Sequence, residues 1–260
     1  MSITIHNEQD FTKMRIAGKL AAEILDYIAD FVDIGITTQK LNDLCHNKII
    51  ENGAIPAPLN YKGFPKSICT SINHVICHGI PSEKKLKNGD IINIDITVIV
   101  DGWHGDTSRM YYVGKPSIKA KILCQVTYEA MMLGIEQVRP GHKLGDIGFA
   151  IQNYVEKQGF SVVRDYCGHG IGKIFHTDPS VLHYGKKDTG IILEEGMFFT
   201  IEPMVNAGKY ETILSKHDDW TVTTRDKSLS AQFEHTLGIT KDGAEIFTLS
   251  PKNMNFPPYK

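Results

Sequence analysis

Asp95 stands in the middle of an apolar run, Ile91 to Val100, whose even positions Ile92, Ile94, Ile96, Val98 and Val100 are all apolar while the odd positions include Asn93, Asp95 and Thr97. Alternation with period two predicts a strand with one packed face and one polar face, and Asp95 belongs to the polar one. Asp101-Gly102 reads as the turn of a hairpin, and the strand that follows, Asp106 to Val113, brings Asp106 near Asp95. Two neighbouring carboxylates repel unless something positive lies between them. An isolated pair of aspartates is ordinarily a pair of solvated surface acids, but the apolar strand around Asp95 counts against that reading.

Two further acids occupy comparable settings. In Ser228 to Leu237 the even positions Ser228, Ser230, Gln232, Glu234 and Thr236 form a polar face, and the nearly all-apolar run Met197 to Glu202 delivers a carboxylate at its end, before Pro203. Gly168-His169-Gly170-Ile171-Gly172, with His176 seven residues beyond His169, matches neither a P-loop nor a dinucleotide fingerprint. Its glycines allow close backbone approach, and imidazole is a common ligand and proton carrier. Alone, His169 is an ordinary loop histidine. Joined to Asp95, Asp106, Glu202 and Glu234, it completes an oxygen-rich set that suits a pair of divalent ions sharing bridging carboxylates. GxSxG and HExxH are both absent, so a metal-activated water is the better nucleophile candidate. His78, Tyr61, Phe64, Phe175 and Trp220 carry no local signal of their own.

The elements that must position these groups are legible from periodicity. Met14, Ala17, Leu20, Ala21, Ile24, Ile28 and Phe31 recur at helical spacing after Asp10, the expected N-cap. A second helix spans Leu41 to Ile49 and ends near Gly53, and a Pro/Asn/Gly loop runs from Pro56 to Pro65. A third follows Ser117, with Ile118, Ile122, Val126, Ala130 and Leu133 on one side, and a fourth runs from Leu144 to Val155 and stops at Gly159. Gly35 to Gly53 and Gly141 to Gly159 each span 18 positions, enclose a helix and follow a longer one, which hints at an internal repeat.

At 260 residues and 42% hydrophobic content the chain suffices for a large core. Lys plus Arg is 28 against 30 for Asp plus Glu, and the net charge of -2 gives no long-range attraction for nucleic acid. Met1 to Phe11 lacks the basic and apolar regions of a secretory signal, and Ile91 to Val100 is too short to span a bilayer, so a cytoplasmic protein with no membrane partner is expected. Five cysteines without CxxC spacing point to reduced thiols.

Seven ordered blocks resemble the type I methionine aminopeptidases, whose pita-bread fold is shared with aminopeptidase P, prolidase and creatinase. They are Lys66 to Asn73, Val75 to Pro81, Asn93-Ile94-Asp95, Asp101 to Ser108, Gly168 to Gly172, Phe199 to Met204 and Ser230 to Thr236. The resemblance implies a mixed α/β (α+β) fold, an antiparallel sheet covered by helices, in one catalytic domain over residues 1–260 with pseudo-symmetric halves at roughly 1–115 and 116–250. It implies two divalent ions (Co, Mn, Fe, Zn or Ni) on Asp95, Asp106, His169, Glu202 and Glu234, bridged by Asp106 and Glu234. It places His78 and His176 against substrate, Tyr61, Phe64, Cys69, Phe175 and Trp220 around a methionine side chain, and Asn73, Val75 and Ser230 at a monovalent cation (Na or K). Pro58 and Phe64 depart from the Cys and Tyr frequent in bacterial relatives, which bears on pocket polarity. The short sequence before the first helix and the short Glu202 to Glu234 interval fit the compact bacterial type.

The implied reaction removes the initiator methionine from nascent polypeptides whose second residue is small. Metal-held hydroxide attacks the scissile carbonyl, Glu202 carries the proton to the leaving amine, His176 stabilises the tetrahedral oxygen and His78 contacts the scissile nitrogen. The implied partners are nascent amino termini and a transient ribosome contact, for a monomer. The rival readings are an Xaa-Pro-type aminopeptidase and a non-catalytic binding module. The second would show loss of a ligand, and all five are present.

Overall fold

The computed structural model describes residues 3–259; Met1, Ser2 and Lys260, which end the expected 1–260 domain, lie outside the described residues. In chain order the elements are α1 (Glu8–Ile28), α2 (Thr38–Glu51), β1 (Ile55–Pro56), β2 (Cys69–Ile72), β3 (Val75–Cys77), β4 (Ile91–Val100), β5 (Trp103–Tyr112), α3 (Ile118–Ile135) and α4 (Leu144–Lys157). Then follow β6 (Ser161–Val162), β7 (Gly168–Gly170), β8 (Thr177–Val181), β9 (Phe198–Ile201), β10 (Met204–Asn206), β11 (Thr212–Leu214), β12 (Val222–Thr224), β13 (Ser230–Gln232), β14 (Glu234–Thr240) and β15 (Gly243–Ile246). The main sheet has nine strands along the path β1-β4-β5-β14-β9-β7-β8, with β2 added on β4 and β15 on β14. Its strand pairs are antiparallel.

The helices cover one face of this sheet. Ile92, Ile94, Ile96 and Val98, the even side of β4, are fully buried in one cluster with Ile24, Leu25 and Ile28 of α1 and Leu41 and Ile49 of α2. A second cluster joins α3 and α4 to Phe199, Ile201, Leu237 and Ile239. Gly105 in β5 allows α1 to come close, because a Cβ there would lie 2.3 Å from the backbone of Ala17. Among the described residues no helix is long and apolar enough to cross a membrane.

The hairpin forms as expected. Val100 pairs with Trp103, and Asp101 (φ 48) and Gly102 (φ 80) both take the left-handed backbone that a two-residue turn of the right twist requires. The loops entering α2 and α4 make matching contacts: Gly35 N–H donates to Leu86 O and Leu86 N–H to Ile36 O, while Gly141 N–H donates to Leu193 O and Leu193 N–H to His142 O.

Three expectations need correction. The N-cap of α1 is Asn7, not Asp10; Asn7 Oδ1 accepts from the amides of Gln9 and Asp10, and Asp10 sits at the third helical position, its carboxylate accepting from Asn7 N–H in a capping box. On α3, Ile118 is 79% exposed and Ile122 45%, whereas Leu123, Thr127, Ala130 and Met131 are buried. That helix packs on both α4 and the sheet, so its buried arc is wider than one apolar stripe and is turned away from Ile118. The run from Ser228 to Leu237 is broken at Phe233, where the chain leaves the small sheet β13-β10-β6 for the main one. All five cysteines are free thiols.

Candidate metal centre

The expected acids converge on the sheet face opposite the helices. In the β4–β5 register Thr97 faces Asp106 and Asp95 faces Ser108, and β14 places Glu234 opposite the same Ser108. Side chains alternate along a strand, so Asp95, Thr97, Asp106 and Glu234 share one face. β9 lies on the other side of β14, pairing Thr236 with Thr200, and Glu202 follows the end of β9. β7 carries His169 beside β9. Gly168 and Gly170 let it approach, since a Cβ at Gly168 would sit 2.3 Å from Thr200 O and one at Gly170 2.1 Å from Asp178 O.

Ligand atoms of Asp106, His169 and Glu234 all lie within 4.8 Å of one another. His169 Nε2 is 3.6 Å from Asp106 Oδ2 and 3.7 Å from Glu202 Oε1. Its Nδ1 is 3.1 Å from Gly170 O, which fixes the proton on Nδ1 in the neutral ring and turns the Nε2 lone pair toward the two acids. Burial pushes the pKa of His169 down to about 4, so near neutral pH the ring is neutral and presents that lone pair to the two acids.

The acids show the same deficit of positive charge. Burial raises Asp95 to about 7, and burial with the nearby charge of Asp95 raises Glu202 to about 8 against the pull of its hydrogen bonds. Asp106 and Glu234 are raised well above the carboxylate range, by burial first and then by repulsion from each other's neighbours, Asp95 and Asp106 respectively. Asp95 Oδ1 is buried without a hydrogen-bond partner among the described residues. A cation supplies what each of these groups lacks, and the mixed oxygen and imidazole donors suit divalent ions.

Hydroxyl and amide groups orient the set. Thr97 Oγ1 donates to Asp106 Oδ1 at 2.7 Å. Thr200 Oγ1 accepts from His169 N–H at 3.0 Å and donates to Glu202 Oε1 at 2.8 Å, and Gln232 Nε2 donates to Glu202 Oε2 at 3.1 Å. Thr97 and Gln232 were legible as neighbours on the polar strand faces. Thr200, alternate to Glu202 in an otherwise apolar strand, gave only that spacing as a signal.

A cavity of about 370 Å³ opens above the acids, and Tyr61, Phe64, Cys69, His78, Phe175, His176 and Trp220 all line it, as does Pro58. Phe64 is buried edge-on to Trp220 at 5.2 Å. Tyr61 stacks on His176 at 5.2 Å, and the His176 ring lies 4.1 Å from that of His169. His78 is held at φ 56, with its ring edge-on to Trp220. Burial lowers His78 to about 4 and His176 to about 3, the latter aided by charge on His169. Tyr166, Cys167 and Lys62 line the cavity as well and had no signal in the sequence, and so do Cys77 and Met204, which lie within the resembling blocks but were assigned no role there.

Asn73 and Ser230 meet outside the cavity: Ser230 N–H donates to Asn73 O at 2.8 Å, and Val75 lies two residues on in β3. A larger cleft of about 610 Å³ lies between α1, α3 and the C-terminal segment, but none of the five acid and imidazole groups reaches it. The chemistry, not the volume, marks the smaller cavity.

This fold and site define a metallopeptidase. Metallopeptidase family M24 matches residues 12–241, and the chain belongs to that family. Within it, the chain is 73% identical over 259 residues to methionine aminopeptidase of Rickettsia prowazekii (strain Madrid E), across 100% of both sequences. The crystal structure of methionine aminopeptidase from Rickettsia prowazekii matches with a TM-score of 0.95 at 73% identity, over 95% of this chain and 100% of that one. That from Thermotoga maritima matches at 0.93 and 38%, over 95% and 99%. The pita-bread fold and the aminopeptidase activity expected from the sequence agree with these matches, and the family implies divalent metal ions.

Proposed function

We propose that Asp95, Asp106, His169, Glu202 and Glu234 would hold two divalent cations, with Asp106 and Glu234 serving both, and that the chain uses this site to hydrolyse amino-terminal methionine from nascent polypeptides with a small second residue. The observation that carries the reading is the Nε2 lone pair of His169 facing Asp106 and Glu202 at 3.6 and 3.7 Å, an arrangement that repels once those carboxyls ionise unless a cation sits within it. When bound, such ions polarise the scissile carbonyl and bring a water to usable nucleophilicity near neutral pH.

The protein's own groups do the rest. Glu202, hydrogen-bonded through both carboxylate oxygens, takes the proton of the attacking water and returns it to the leaving amine. His176 donates to the oxygen on which charge develops, and His78 contacts the scissile nitrogen. Tyr61, Phe64, Cys69, Phe175 and Trp220 surround the methionine side chain, whose thioether suits their polarizable faces. Asn73, Val75 and Ser230 hold a sodium or potassium ion. Co, Mn, Fe, Zn and Ni all suit the divalent donor set. The chain works as a cytoplasmic monomer, one catalytic unit with halves at roughly 1–115 and 116–250, touching the ribosome transiently and binding no nucleic acid specifically.

Under identical metal loading, Met-Ala peptides should be cleaved far faster than Met-Leu, Leu-Ala, Lys-Ala or Ala-Pro peptides. A missing methylene is worth about 1 to 3 kcal/mol, so short aliphatics turn over weakly and charged side chains are rejected. Leu-Ala or Lys-Ala turnover equal to that of Met-Ala would overturn the methionine pocket, and preference for Ala-Pro would favour the Xaa-Pro reading.

A further inference from the structure

We propose that His183 is a positioning residue for Glu202: its Nε2 accepts the main-chain N–H of Glu202 at 3.1 Å and sets the point at which that carboxylate leaves the sheet. The inference rests on the reading of Glu202 as ligand and proton carrier. β9 ends at Ile201, whose partner in β14 is His235, and residue 203 is a proline with no N–H to donate. The Glu202 amide is thus the last donor of the segment, with no strand partner to take it. A side chain from the stretch after β8 does so. That stretch is anchored against α4, where Gly148 packs so tightly that a Cβ would lie 2.5 Å from Tyr184 O and 2.7 Å from Leu182 O.

The ring is costly for a mere space filler. His183 is fully buried, and burial pushes its pKa down to about 3, so it is neutral. Because Nε2 accepts, the ring proton sits on Nδ1, and Nδ1 is buried without a hydrogen-bond partner among the described residues. A leucine would occupy similar space with no stranded donor. What the imidazole adds is the acceptor. With it, Glu202 is held at three points: its amide by His183, Oε1 by Thr200 and Oε2 by Gln232. Groups that orient a ligand in this way alter metal affinity or activity by about 10- to 100-fold when removed.

The test combines a spectroscopic readout with two variants. In the full-length protein, ¹⁵N spectra of labelled histidine should show His183 in the Nδ1–H tautomer with no protonation between about pH 5 and 8. His183→Leu should lower kcat on a Met-Ala peptide about tenfold or more with KM little changed, and should weaken Mn²⁺ binding, measured by calorimetry, by about tenfold. His183→Gln, whose Oε1 can replace the acceptor, should restore both to within about threefold. An Nε2–H tautomer would overturn the proposal whether or not the variants fold. So would wild-type kcat and Mn²⁺ affinity in His183→Leu, or equal defects in the Leu and Gln variants. Near-normal turnover in Glu202→Gln would instead remove the proton role of Glu202 and leave the tautomer and the Mn²⁺ comparison standing.

Discussion

Replacing Glu202 by Gln removes one titrating group from the metal-free site while keeping partners for Thr200 and Gln232, so it separates the charge of Glu202 from its shape. In the wild-type protein without cations, the folded-state pKa of Glu202 is raised from 4.5 to about 8 by burial and by Asp95. A carboxyl raised in this way favours the folded state fully at pH values below 4.5, and that contribution is lost as pH rises through 8. At about 1.4 kcal/mol per bound proton per pH unit, Glu202 alone takes on the order of 1 kcal/mol from the metal-free protein between about pH 7 and 8.5. For a chain of this length that is roughly 2 to 4 °C in Tm. The lowered histidines act in the opposite sense and are common to wild type and variant; the buried thiols act in the same sense, and Cys77, raised by burial and in part by the charge of Glu202, adds to the difference. Urea or thermal unfolding in chelator at several pH values in this range should therefore show a shallower decline for Glu202→Gln. The metallated variant should lose at least about 100-fold in turnover of Met-Ala. Parallel stability curves would refute the raised carboxyl, and near-normal turnover with normal metal content would refute the proton role.

Chelation should abolish hydrolysis and added divalent ions should restore it, with metal content measured alongside; full activity after verified metal removal would contradict the five-ligand site. Gly105→Ala should destabilise the protein by about 1 to 3 kcal/mol or more in urea, because its methyl meets Ala17 backbone atoms and not a side chain that can swing aside. Asp26→Ala should cost about 3 to 5 kcal/mol, since it strands Arg109, bound to Asp26 at 2.5 Å with both residues buried, and also removes the acceptor of Ser250 Oγ that ties down the C-terminal segment. A loss under about 1 kcal/mol in that variant would show the pair to be relieved by rearrangement.

Short-range physics made much of this molecule readable in one dimension. The alternation of Ile92 to Val100 determined which face of β4 is apolar, Asp101-Gly102 determined the turn type, and together they put Asp95 and Asp106 on one side of a hairpin before any long-range contact was considered. Residue chemistry alone also made the donor set visible, since four acids and a glycine-flanked histidine are the same groups folded or unfolded. The helix spans followed from spacing, but the start of α1 did not, because Asn7 and Asp10 are both good capping residues and only the folded backbone shows which one accepts from the first turn.

What tertiary structure decided was the meeting of distant segments. The hydrogen bond from Thr107 to Glu234 joins residues 127 apart, and no local pattern specifies that β14 lies between β5 and β9. The buried arc of α3 was set by what packs against it, which is why Ile118 and Ile122 ended in solvent. His183 had no motif at all; its role arises from a buried ring meeting an amide that the sheet leaves unpaired. Periodicity and turn chemistry are fixed by neighbours in the chain, whereas register, burial and the pKa of every group in the site depend on surfaces that exist only once the sheet has closed against its helices.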